Sequence, residues 1–240
     1  MLNQSVLFVV GLTGVGKSTT LEALDTSLTL LPNRRELADT IIIPSVQREA
    51  GEEVTPVTDR LERFTLTARY RSRHPGGMVH ALAQYLKSCE PTNSDAAYLF
   101  DNIRGLDECR AAVQTFPNSR YLFLNASPLV RLQRLVGRGA AFDKVAAPRL
   151  ENTNLVEQLL TIDGLNALFD AYELARLEAR GVPEDKLLNA VHIIVAEHQN
   201  YDAGKAAAYL KAELNDERLL YLDAGNLSIS EVTAEIRAWL

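Results

Sequence analysis

Eight residues near the start of the chain, Gly11-Leu12-Thr13-Gly14-Val15-Gly16-Lys17-Ser18, have the spacing G-x-x-x-x-G-K-S. They lie between an apolar run, Val6 to Val10, and a segment of helical period. Such a turn wraps so that consecutive backbone N–H groups point inward at phosphate oxygens, which requires glycine where the backbone is strained or a ligand approaches closely. Lys17 then brings a point charge to the β- and γ-phosphates, the Ser18 hydroxyl reaches a magnesium ion, and Thr19 continues the turn into a helix whose positive end faces the anion.

A second set of residues has the chemistry to complete such a site. Asp101 follows the apolar run Tyr98-Leu99-Phe100, and in an open parallel sheet ligands collect at the carboxyl ends of the strands. An aspartate there holds Mg²⁺ directly or through water, or serves as general base to a hydroxyl; the sequence leaves both roles open. Arg104 comes three residues later, and Arg131, Arg134 and Arg138 are spaced three and four apart on one side of a helix. Phosphoryl transfer spreads negative charge over the equatorial oxygens, so converging arginines suit it. For a phosphorylated acceptor the candidates are Arg34, Arg35, Arg69, Arg71 and Arg73, since such a group needs cationic, preferably bidentate partners.

These side chains have to be held by a βα framework. The pattern predicts a strand over Ser5 to Val10, a helix from Lys17 to about Leu30, and a buried β-branched strand over Thr40 to Ile43 closed by Pro44. Residues 45 to 77 read as polar and irregular. Met78, Ala81, Leu82, Tyr85, Leu86 and Cys89 then recur at helical spacing. Ala96 to Phe100 reads as a strand, Leu106 to Val113 as a helix, and Tyr121 to Leu124 as a strand. Ser127-Pro128 opens a helix reaching about Gly137. Residues 139 to 215 read as loop and helices without a strand, Leu219 to Leu222 as a last strand, and Ser228-Ile229-Ser230-Glu231 as a capping box leading a final helix.

In that order the blocks Gly11 to Ser18, Asp101-Asn-Ile-Arg104, Arg134-Leu-Val-Gly-Arg138 and Leu222-Asp-Ala-Gly resemble the adenylate kinase-like nucleoside monophosphate kinases. The resemblance implies a P-loop three-layer α/β/α fold with a five-stranded parallel sheet of order 2-3-1-4-5 and a helical lid or insertion. It implies one domain with its core at about 1–31, 91–138 and 216–240, an acceptor region at about 32–90, and the insertion at about 139–215. ATP, with GTP left open, and Mg²⁺ are the implied cofactors, with Arg104 on the acceptor or moving phosphate and Arg134 and Arg138 on the ATP phosphates. Asn102 stands where that family usually has glycine, one residue is missing before Arg104, and the acceptor segment matches none of the adenylate, guanylate or thymidylate versions.

Composition narrows the partners. A formal charge of −6 argues against a generally basic nucleic-acid binder, and two cysteines, Cys89 and Cys109, suggest neither a disulfide framework nor zinc, which points to a reducing, cytoplasmic setting. No stretch has the length to cross a bilayer, and the start lacks the basic flank of a secretory leader. The expected partner is a small-molecule phosphate acceptor, with a homodimer one option for the assembly. A nucleotide-dependent regulatory NTPase and a nucleic-acid end kinase are the alternatives.

Overall fold

Alternation along the strands sets the layers. In β1 (Ser5–Val10), Val6, Phe8 and Val10 face one core while Leu7 and Val9 face another. The computed structural model describes residues 2–23, 28–89, 97–137, 155–179 and 181–240; Arg138, expected at the site, lies outside them. β1 pairs in parallel with β3 (Ala97–Ile103) and β4 (Arg120–Asn125), β2 (Thr29–Leu30) adds to β3, and β5 (Leu219–Asp223) adds to β4. The sheet order is β2-β3-β1-β4-β5, so the expected α/β fold class and 2-3-1-4-5 order hold.

The identity of the second strand does not hold. Thr40 to Ile43 is helical: α2 (Arg34–Leu37) runs through a wide π-turn (Ala38–Ile42) into α3 (Ile43–Glu49). Leu37, Ile42, Ile43 and Val46 sink into the first core at helical spacing, and this burial overrides the strand preference of the β-branched run. Pro44 has no N–H to give and its ring would strike the carbonyl of Thr40 in a regular helix; the widened turn just before it removes that clash. The two-residue Thr29–Leu30 is the true edge strand, so the end of the segment expected to belong to α1 (Lys17–Ala23) is strand, and its residues 24–27 lie outside the described residues.

The region expected to be irregular also contains α4 (Arg60–Arg73), opened by Asp59, whose side chain accepts from the Glu62 amide at 2.9 Å. α4 leads into α5 (Gly77–Ser88); these, with α6 (Leu106–Thr115), cover the first face of the sheet. Leu99, Leu122, Leu124, Val232 and Ile236 build the opposite core under α1 and the last helix.

Beyond β4, α7 (Pro128–Val136), capped by Ser127, joins α8 (Leu155–Leu160), α9 (Ala171–Glu178) and α10 (Glu184–Asn200) around a third core that includes Leu132, Leu135, Leu159 and Leu187. No strand occurs there among the described residues. α11 (Ala203–Glu213) returns to the sheet, and α12 (Ile229–Trp239) carries the expected Ser228–Glu231 capping box. The single tryptophan, Trp239, lies beneath the Arg120 guanidinium at 3.9 Å and donates its indole N–H to the Asp216 carbonyl. Cys109 is buried and Cys89 exposed. Among the described residues no helix is long and apolar enough to cross a membrane.

Candidate active site

The phosphate loop leaves β1 at its carboxyl end, with the Gly11 amide bonded to the Ile103 carbonyl of β3. Gly14 has φ +89°, and a Cβ there would come within 3.0 Å of the Arg131 carbonyl, so the turn and its packing against α7 both require glycine. Gly16, at φ +105°, makes the second sharp turn before Lys17, Ser18 and Thr19 open α1. The Lys17 Nζ donates to the carbonyls of Gly11 and Leu12 at 2.8 and 2.9 Å. Burial pushes its pKa down to about 7, against the pull of Asp101.

Asp101 stands across from Val9 at the end of β3. The next pair, Val10 with Ile103, skips Asn102, so the strand carries one extra residue there. This bulge explains how Phe100 and Ile103, three apart, enter the same core while Asp101 lies between them beside Lys17. One carboxylate oxygen, Oδ1, is buried and has no hydrogen-bond partner, and burial raises the pKa of the group against the pull of Lys17 and Arg104. A hard cation takes oxygen ligands, so Asp101 and the Ser18 hydroxyl fit magnesium.

At the centre lies a residue that the sequence patterns did not single out. Glu197 of α10 is wholly buried and accepts four hydrogen bonds: from the Thr13 amide at 3.0 Å, from the Thr13 hydroxyl, from Arg104 Nη1, and from Arg131 Nη2 at 2.7 Å. Arg131 Nε donates in turn to the Thr13 carbonyl at 2.8 Å. Burial alone would raise the Glu197 pKa, but Arg104, Arg131 and the Thr13 hydroxyl outweigh it and hold the group at about 2. A signal existed: Glu197 continues the buried stripe of Ile193 and Ile194 at i+4 and i+3, a carboxylate on an apolar helix face.

The candidate arginines divide. Arg34 makes a bidentate pair with buried Glu108, both distances 2.8 Å, and donates to the Tyr201 hydroxyl at 2.8 Å. Arg71 donates to Asn200 at 2.7 Å, and its Nη1 is buried without a hydrogen-bond partner. The guanidinium carbons of Arg34, Arg71 and Arg104 lie 5.2, 4.7 and 5.7 Å from the centre of the Tyr201 ring. Glu108 also accepts the Arg104 amide at 2.7 Å, so α2, α6 and the turn after β3 meet on one carboxylate.

The other acceptor candidates are not brought to this cluster. Arg35 faces Asp39 at 3.9 Å and Arg73 pairs with Glu49, both on exposed surface, and Arg69 is exposed on α4. Arg134 reaches the loop but donates to the carbonyls of Val15 and Ala224 at 3.0 and 2.6 Å, tying the phosphate loop to the turn after β5.

A scan against family models finds no match. A UPF0200 protein of Pyrobaculum aerophilum is 29% identical over 142 residues, 59% of this chain and 71% of that protein. Among solved structures, an unliganded sugar kinase from a Janibacter species aligns over 98% of this chain and 94% of its own at 16% identity and a TM-score of 0.47. A kinase candidate from Chloroflexus aurantiacus aligns over the full length of both chains at 13% identity and a TM-score of 0.43. The fold follows from the sheet order and the site from its side chains.

Proposed function

We propose that the chain is a P-loop phosphotransferase that moves the γ-phosphoryl group of Mg-ATP to a small anionic acceptor. The observation that supports this best is the convergence of Lys17, Asp101, Arg104 and Arg131 where the glycine-turned loop meets the carboxyl ends of β1 and β3. In this reading, loop amides from Gly14 to Thr19 and the Lys17 ammonium hold the triphosphate, Thr13, whose amide is taken by Glu197, shapes the loop, and Ser18 and Asp101 would hold magnesium, which would withdraw charge from the β- and γ-oxygens. Arg104 and Arg131 face the moving group, and Arg134 holds the loop in shape.

The acceptor oxygen attacks the γ-phosphorus, the bond to the β–γ bridging oxygen breaks, and ADP leaves. A phosphate acceptor is already anionic; a hydroxyl would give its proton to Asp101. The acceptor side is assigned to Arg34, Arg71 and Arg104 around Tyr201, because the buried, unpartnered Arg71 Nη1 suits an anionic oxygen. Residues 32–90 supply Arg34 and Arg71, and residues 139–215 supply Glu197 and Tyr201.

The test is ADP release from Mg-ATP in the presence of nucleosides, nucleotides, phosphorylated sugars and cofactor precursors. Acceleration by an anionic member is the expected result, and Lys17→Ala should abolish both turnover and nucleotide binding. Slow ADP formation that no compound accelerates would overturn transfer in favour of a regulatory NTPase.

A further inference from the structure

Thr13 is held on every polar atom it has. Its amide and hydroxyl donate to Glu197, and its carbonyl accepts from Arg131. The same carboxylate pairs with Arg104 and Arg131, and Lys17 lies within its field. Glu197 therefore links three pieces of chain distant in sequence: the phosphate loop, the turn after β3 and the helix α7. It does so from α10, a helix fixed by the apolar contacts of Leu187, Val191 and Ile194. Two guanidinium groups facing one carboxylate leave an excess positive charge at the loop, and the direction of each is set by which oxygen it meets.

We propose that Glu197 is the positioning residue of the phosphoryl-transfer site: it aims Arg104 and Arg131 at the transferring group and fixes Thr13 of the loop, without itself touching the nucleotide. This rests on the phosphotransferase reading above. Its signature follows from charge. Removing the carboxylate leaves two unneutralised guanidinium groups beside the triphosphate, which does not weaken ground-state binding. Their directions are lost, which costs stabilisation only where charge moves in the transition state.

The experiment compares the wild type, Glu197→Gln and Glu197→Asp in full-length protein. Mg-ATP affinity is measured by calorimetry, and the single-turnover rate of γ-phosphoryl release to water is measured with labelled Mg-ATP. Glu197→Gln is expected to slow release by about 100-fold, the scale of losing an oriented donor at a developing charge, with Mg-ATP affinity equal to or tighter than wild type. Glu197→Asp, which keeps the charge on a shorter arm, is expected to recover part of the rate. Should Glu197→Gln not fold, Thr13→Val removes one arm of the node while keeping both ion pairs, and it is expected to slow release with the melting temperature held.

Rate and affinity falling together, or a rate within threefold of wild type, overturns the positioning role. So does a folded Thr13→Val that releases at the wild-type rate. If the wild type binds Mg-ATP and releases nothing to water, the same comparison is made on ADP release in the presence of the anionic compound that accelerates it, and a Glu197→Gln rate within threefold of wild type there overturns the positioning role. A wild type that binds no Mg-ATP overturns the phosphotransferase reading itself.

Discussion

A carboxylate without solvent survives only if its neighbours repay its lost hydration, and around Glu197 two guanidinium groups and the Thr13 hydroxyl do so. Its folded pKa, about 2, lies below the ordinary 4.5, so the stability it contributes is present above about pH 4.5 and is lost as pH falls through 2. Denaturant melts should therefore show wild type more stable than Glu197→Gln at pH 6, with the gap narrowing toward pH 2; a gap that stays constant with pH contradicts the ion-pair account. At this scale the loop was legible because its chemistry is local: Gly11 to Ser18 needs only its own spacing and the flanking strand-to-helix switch. Asp101 was legible for the same reason, as the polar end of an apolar run. Glu197 and Tyr201 were not, because their partners lie far away, Thr13 being 184 residues from Glu197.

Among the elements, α4 shows how a polar segment becomes helix. Among its described residues only Leu66 and Tyr70 sink into the core, so the hydrophobic pattern is faint, while Asp59 and Glu62 mark its start. Asp59→Ala should cost about 1 kcal/mol, a few degrees of melting temperature by calorimetry, without altering Mg-ATP affinity, because α4 bears on the acceptor side alone. The Thr40 to Ile43 run misleads in the opposite direction: four β-branched residues before a proline spell a strand locally, and only the core waiting under Ile42, Ile43 and Val46 makes them helical. A two-residue edge strand such as Thr29–Leu30 carries no period that could be read at all. The capping box at Ser228 and Glu231, and Ser127 with Pro128, were readable because a cap is a contact within four residues.

Across the whole molecule, three apolar cores meet around the phosphate loop: Val10 and Val15 tie the loop into the two cores of the sheet, and Glu197 ties it by charge to the helices of the third. The third core, beneath α7 to α10, should respond to damage as a unit. Leu187→Ala, at a fully buried position, should cost about 3 kcal/mol and raise hydrogen exchange across α8, α9 and α10 while amides of β1 and β4 keep their protection. Equal loss of protection in the sheet would show that the helices and the sheet open together. Trp239, beneath Arg120, has a further consequence for experiments in solution. It sits at the amino ends of β4 and β5, whereas the loop and its arginines gather at the carboxyl ends. Intrinsic indole emission thus comes from one corner of the molecule and reports on that corner, so a nucleotide titration followed by it would look flat even at full occupancy.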